Sequence, residues 1–298
     1  MNLSSIKKKL KGLHINPVGI ACWIILALYS LMFVYLFVWG FTTSFKGILE
    51  FSKDPLRFPK EWHFENYKTA FDYFYVRLSG SGNRYVYLEG MALYSIIYAG
   101  GCAFMQTLAT CLVAYATARF DFKLSKIIYS VVLVLMVMPI VGSLPSEIQM
   151  TKNLGLYDTL FGPLILKFNF LGMYYLVLYA AFRGVPQAYT EAAKIDGASN
   201  MCIFTRIILP LVRNTFFTIM LINFVAYWND YQTPLVYIPS YPTMAYGLYR
   251  YYFSTVSAIS DPPMKLAGCM IVFLPILLVF IIFQKRLMGN ISMGGIKE

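Results

Sequence analysis

Six long apolar runs decide what this chain can become. They cover residues 18–40, 91–118, 127–146, 161–182, 207–228 and 266–283, and the core of each lacks Asp, Glu, Lys and Arg. A helix needs roughly 20 apolar residues to cross a hydrocarbon layer of about 30 Å. The fourth run reaches that length only if it begins near Phe161, because Lys167 and Arg183 bracket its apolar centre. Water is the wrong solvent for such a chain: 58% of its residues are hydrophobic and 13% charged, where soluble domains carry about a quarter. The reading is a single all-α integral membrane domain of six transmembrane helices filling residues 1–298.

Charge distribution gives the expected orientation, since basic residues gather on the cytoplasmic side. With both termini inside, the inner segments hold Lys7, Lys8, Lys9 and Lys11, then Arg119, Lys123 and Lys126, then Arg183, Lys194, Arg206 and Arg213, and finally Lys285, Arg286 and Lys297. Inside then carries a net +10 and outside +1, which predicts N-in and C-in. The overall +11 follows from that bias and needs no nucleic-acid surface to explain it. Residues 18–40 exceed a signal-peptide core in length and lack a nearby cleavage pattern, so they are expected to stay as a helix. The five cysteines are isolated, at 22, 102, 111, 202 and 269, and suggest neither a disulfide framework nor a metal site.

Three connections stand out. Residues 41–90 form a long outer loop of mixed charge that includes a Gly/Ser turn at 78–83. Residues 183–206 form a cytoplasmic loop with helical character, and residues 229–265 an outer loop holding seven tyrosines and five prolines. Chemistry of the catalytic kind has no foothold. The chain has no phosphate-binding glycine loop, no His-Glu-x-x-His and only two histidines, His14 and His63. No carboxylate lies in a span core, which argues against proton coupling, since such groups are costly unless functional. Sodium sites built from backbone carbonyls stay open.

The most informative stretch runs from Glu191 to Pro210. Residues 190–195 read as a short helix with Glu191 near its N-terminal end, where the helix dipole favours an anion. Gly197 permits a left-handed turn, small Ala192, Ala193 and Ala198 allow close approach, and Met201, Ile203 and Phe204 supply an apolar side. Taken alone, these residues fit a plain amphipathic connector equally well. In residue type and spacing, however, Glu191-Ala192-Ala193, Gly197 and Ile207-x-Leu209-Pro210 resemble the cytoplasmic signature of binding-protein-dependent ABC importer permeases. Asp196, Ala198 and Phe204 resemble the sugar-type branch, which includes the smaller membrane subunit of maltose-type importers. The likeness extends to residues 62–71, 114–120, 154–162, 228–235 and 284–295. It departs where Arg213 and Asn214 stand in place of a common proline, and in the length of the 41–90 loop.

The resemblance implies a transport subunit rather than an enzyme, in a bacterial cytoplasmic membrane. Its cytoplasmic loop would be a coupling helix seated in a separate ATPase, with Glu191, Ala192, Ala193, Asp196 and Gly197 as the contact residues. No cofactor or metal is expected on this chain, ATP and Mg belonging to the ATPase partner. Implied partners are a second permease, two ATPase copies, an extracytoplasmic solute-binding protein and the lipid bilayer, with no nucleic acid. The tyrosine-rich loop after Asn229 would dock on the binding protein. Asn223, Tyr227, Trp228 and Asn229 offer the aromatic and amide groups that a sugar pathway needs, although Trp and Tyr at a span end equally form an interfacial belt. A permease for an amino acid or glycerol phosphate, a sodium-coupled carrier and a non-transporting scaffold are the competing readings.

Overall fold

A computed structural model describes residues 17–78, 84–138 and 142–291, with side chains described as far as residue 283. The N-terminal lysines, His14, most of the expected Gly/Ser turn, the middle of the third apolar run and the end of the basic tail lie outside the described residues, as do the side chains of Lys285 and Arg286.

Helices dominate. In chain order they are α1 (Pro17–Thr43), α2 (Ile48–Lys53) and α3 (Glu65–Tyr73), then a two-stranded hairpin of β1 (Tyr75–Arg77) and β2 (Tyr85–Tyr87). After it come α4 (Leu88–Arg119), α5 (Lys123–Val137), α6 (Leu144–Asn153), α7 (Phe161–Leu166), α8 (Met173–Arg183) and α9 (Ala188–Ile195). The chain continues through α10 (Asn200–Trp228), α11 (Gln232–Tyr237), α12 (Met244–Tyr252) and α13 (Pro262–Ile291). Among the described residues, four helices are long and apolar enough to cross a membrane: α1, α4, α10 and the part of α13 up to Phe283. The other two apolar runs take different forms. The third is helical only to Val137, and α6 starts at Leu144 as a separate, largely exposed helix. The fourth is two helices, α7 and α8, interrupted at residues 167–172 where Gly172 adopts φ 142°.

The interior is organised around α4, which packs along α10 on one side and α8 on another. Small side chains make that possible: Ala99, Ala103, Ala109, Ala114 and Ala118 are all buried. A β-carbon on Gly101 would strike Leu164, so α7 also lies directly against α4. Hydroxyls that would be costly in lipid are satisfied locally or across helices. Thr117 Oγ1 bonds both the Val113 carbonyl and the Tyr175 hydroxyl, the latter at 2.8 Å. By contrast α1 is exposed along almost its whole length, and near its end Phe37 packs on Phe273 and Gly40 faces Met270.

Beyond that end the chain is knotted by polar contacts to the backbone. Asn66 Nδ2 donates to the carbonyls of Ser44 and Lys46, each at 2.9 Å. Lys46 is 1% exposed, and its ammonium donates to the Asp54 and Pro55 carbonyls. The indole of Trp39 donates to the same Pro55 oxygen at 2.9 Å, so the loop after α2 is pinned to α1. Phe45 fills the centre, ringed by Phe41, Trp62, Phe64 and Tyr67.

The tyrosine-rich loop differs from its sequence expectation. Tyr237, Tyr246 and Tyr251 are buried, and Tyr252 is the one counted as exposed. The reason is packing: Tyr251 stacks on Phe74, donates to the Met264 carbonyl at 3.0 Å and occupies the space that a side chain at Gly268 would need. Three of the seven rings are thus part of the core, and Tyr231, Tyr241 and Tyr249 are half-buried.

Two outcomes follow. Asn66→Ala strips the partners from two carbonyls at the knot and should cost about 1–3 kcal/mol locally. Hydrogen exchange over residues 44–67 should then accelerate while α4 stays protected. The second concerns Tyr237, which donates to Glu147 Oε2 at 2.8 Å. Bonds from Ser143 and Tyr237 hold the Glu147 carboxyl below its usual range, and burial first, then Glu147, pushes Tyr237 up to about 12. The Glu147 contribution is therefore present above its unfolded pKa near 4.5 and lost as pH falls through the depressed folded value. That of neutral Tyr237 is present below 10 and lost on the way to about 12. Protection of α6, corrected for intrinsic exchange, should fall at both extremes in the wild type, and Tyr237→Phe should weaken both dependences.

Candidate functional site

Two regions carry the polar and surface chemistry. The first is α9 and the turn behind it. Glu191 sits in the first turn of α9, as its preference for the positive end of the helix dipole predicts. The helix stops in a paired-bond turn: Gly197 N–H donates to the Lys194 carbonyl at 3.0 Å and Ala198 N–H to the Ala193 carbonyl at 2.9 Å. This is the glycine-terminated Schellman arrangement. Gly197 has φ 78°, and a β-carbon there would meet nothing within 4 Å, so backbone conformation and not space demands the glycine. Ser199 then caps the next helix, its Oγ accepting from Cys202 N–H at 3.3 Å.

The five residues singled out from sequence divide into two roles. Ala193 is buried in a cluster with Tyr115, Phe182, Ile203 and Phe204, which fastens α9 to the ends of α4, α8 and α10. Glu191, Ala192, Asp196 and Gly197 are exposed. Around them the surface is apolar, with Ile195 86% and Met201 68% exposed and Tyr189 beside them. Ile203 and Phe204, grouped with Met201 on one apolar side by sequence, point inward instead. A feature that sequence reasoning missed follows at once. Residues Ile203–Ile208 form a π-helical turn inside α10, and Pro210 lies just after it. Proline lacks an N–H and collides with the carbonyl four residues earlier in a regular helix, so the chain widens there.

The second region lies where α4, α10 and the α7–α8 break meet. Tyr227 donates to Gln106 Oε1 at 2.7 Å, and Lys167 Nζ stands 5.5 Å from the centre of the Tyr227 ring. Tyr98 packs edge-on against Tyr227 and donates to Asp230 Oδ2 at 2.8 Å. The other carboxylate oxygen of Asp230 accepts from Thr233 N–H at 3.0 Å. The remaining candidates diverge. Asn223 is buried and ties α10 to Thr107 of α4 at 3.2 Å. Trp228 turns away into the core against Phe224, its indole nitrogen buried with no hydrogen-bond partner among the described residues. Asn229 is exposed and folds back on the Val225 carbonyl. Gln106, Lys167 and Asp230 join Tyr227 here although sequence reading did not select them. A lysine between two apolar stretches was the available signal. Among the described residues no group of His, Cys, Asp or Glu is arranged to hold a metal ion.

Known proteins share this architecture and sequence. The diacetylchitobiose uptake system permease protein NgcG of Streptomyces coelicolor is 29% identical over 91% of this chain and 86% of its own length. The arabinooligosaccharides transport system permease protein AraQ of Bacillus subtilis is 26% identical over 92% of this chain and 95% of its own. A solved bacterial ABC transporter involved in the import of the acidic polysaccharide alginate superposes with a TM-score of 0.72, covering 90% of this chain and 95% of that one. At 19% identity, it shares the fold. Residues 106–292, which include α9 and all of the second region except Tyr98, match the binding-protein-dependent transport system inner membrane component family. The chain belongs to that family and is a membrane transport component rather than an enzyme.

Proposed function

We propose that this chain is one permease subunit of an ATP-driven importer for sugars or oligosaccharides, forming half of a pathway that a second permease completes. The observation that carries the reading is the exposed α9 surface. A short helix is locked at its base by Ala193 and ended by the Gly197 turn, and it presents Glu191, Ala192, Asp196 and Ile195 outward. Such a rigid projection, apolar at its tip and ringed by charge, suits seating in a groove of another protein. The sugar assignment draws on the relatives, whose names tie them to diacetylchitobiose and arabinooligosaccharides.

On this reading α9 is the coupling helix and faces the cytoplasm. Glu191 pairs with a basic group on the ATPase, and Gly197 keeps the turn that aims the helix. The spans are α1, α4, α5, the α7–α8 pair, α10 and α13, with both termini inside, as the surplus of basic residues on that side favours. Two ATPase subunits hold the ATP and Mg, and an extracytoplasmic binding protein delivers solute. Tyr227 lines the pathway, while Asn223 and Trp228 hold α10 in place and Asn229 caps its end.

Purification of the chain with its partners tests this. The wild type should bring down an ATPase whose hydrolysis is stimulated by loaded binding protein. Gly197→Val forces a β-branched side chain into a left-handed turn and should uncouple or release the ATPase, and Glu191→Ala should weaken the association about tenfold, the order of one charge-assisted contact. A wild-type chain that purifies alone and moves solute in ATP-free liposomes would sink the importer reading.

A further inference from the structure

Basic side chains from three helices meet at one end of the bundle. Arg119 closes α4, Arg183 closes α8, and Lys123 and Lys126 open α5 after the short link at residues 120–122. Ring contacts fix their level. Tyr115 packs edge-on against Phe182 with centroids 5.5 Å apart, so Arg119, one turn on, and Arg183, the next residue, leave the bundle side by side. Tyr129 of α5 lies 5.0 Å from Tyr179 of α8. The two helices run in opposite directions, so Lys126 is about 4.5 Å and Arg183 about 6 Å beyond that contact, toward the same end. The Arg183 guanidinium stands 5.8 Å from the centre of the Tyr179 ring.

These charges are not matched within the fold. Asp121, Glu191 and Asp196 lie on the neighbouring segments, all exposed, and none of the four cations is in an ion pair with a described residue. Arg119 has Nε and Nη2 buried with no hydrogen-bond partner among the described residues. The negative dipole ends of α4 and α8 favour the two arginines, but the lysines stand at the positive end of α5, whose first turn holds no acidic residue. Like charges gathered this closely call for an anion from outside. The surface beside them is apolar. A shallow groove begins at Lys126 and climbs past Ile127, Ser130, Val131, Val134 and Leu135, about 14 Å along α5. Lys126, Ile127, Val131 and Val134 are all exposed. A cationic mouth with an apolar track leading from it suits an amphiphile, whereas a free anion or the acidic face of a soluble protein has no use for the track.

We propose that Arg119, Lys123, Lys126 and Arg183 bind the headgroup phosphate of an anionic phospholipid, with one acyl chain lying along the α5 groove. The inference rests on the reading of α4, α5 and the α7–α8 pair as spans whose ends reach the cytoplasmic surface here. That leaflet is anionic, and basic pockets between helices on that side hold lipid headgroups. The arginines offer forked N–H donors that match phosphate oxygens, and the lysines add mobile point charges. A headgroup shared by Arg119 and Arg183 ties the end of α4 to the end of α8. Those are the helices whose Tyr115 and Phe182 hold Ala193, so the lipid braces the base of α9.

Native mass spectrometry tests this on the chain purified with its partners and titrated with dioleoylphosphatidylglycerol or dioleoylphosphatidylcholine. The wild type should hold the anionic lipid about tenfold more tightly than the zwitterionic one. Lys126→Gln with Arg183→Gln changes two exposed side chains and should remove most of that preference, while Lys60→Gln in the 41–90 loop should leave it intact. Val131→Trp fills the groove with both cations in place and should also weaken phosphatidylglycerol binding. Equal retention of the two lipids overturns the site, as does a double variant that binds like the wild type. Wild-type binding by Val131→Trp overturns the acyl track. Displacement of the lipid by millimolar glycerol 3-phosphate makes this a site for free phosphate and overturns the lipid assignment. A double variant that sheds the ATPase but keeps its lipid makes the cations a protein contact, which overturns it equally. A wild-type chain that shows the expected lipid pattern yet purifies without an ATPase keeps the lipid site and loses the importer reading instead, so the two failures are distinct.

Discussion

Close packing of α4 against α10 and α8 is the contact on which everything else hangs. In lipid there is little hydrophobic gain from bringing apolar helices together, so association relies on fit and on hydrogen bonds between helices. The alanines on α4 let two neighbours approach, and Thr107 and Thr117 reach Asn223 and Tyr175 across the gaps. That framework carries both functional regions. The Tyr115 nest at one end fixes α9, and the Tyr227–Gln106 bond further along fixes the polar cluster around Tyr227.

Because one helix holds both, α9 and the Tyr227 cluster are joined by continuous packing. Ala193 and Phe204 press on Tyr115, and α10 runs from the α9 turn directly to Tyr227 and Asp230. Displacing α9 as a rigid lever would tilt α10 against α4, where Asn223 and Tyr227 are the bonds placed to resist. The exposed α1 stands outside this framework. Its attachment through Phe37, Gly40 and the Trp39–Pro55 bond secures one end and leaves the rest for lipid or a neighbouring subunit.

The membrane class was legible because the solvent imposes it: long charge-free runs have few other solutions. The α9 helix and its glycine turn were legible too, since Glu191 near a helix start and Gly197 at its end follow from dipole and backbone rules. What escaped was anything decided across the structure. Hydropathy cannot show that residues 161–182 are interrupted, because Lys167 and Gly172 look alike whether a helix ends, breaks or kinks there. The tyrosines of residues 229–265 suggested a docking face by composition, whereas Phe74 and Gly268, far away in sequence, draw Tyr251 inside. Trp228 and Tyr227 are adjacent in sequence, yet Trp228 is buried against Phe224 while Tyr227 reaches Gln106 and Tyr98 of α4, a distinction that only the packing makes.

The π turn at Ile203–Ile208 has an arithmetic of its own. A wide turn holds one more residue than an ordinary one while keeping the flanking helix nearly collinear, so it behaves as an insertion absorbed in place. Deleting a single residue between Ile203 and Ile208 would let the ladder close in the regular way. The residues on both sides, Ser199 and the Gly197 bend before the turn and Tyr227 beyond it, would keep their faces, because the extra residue is taken up within the turn itself. A one-residue deletion at this spot therefore leaves the direction of the α9 projection unchanged, whereas the same deletion in the regular part of α10 would turn one flank against the other by about 100°.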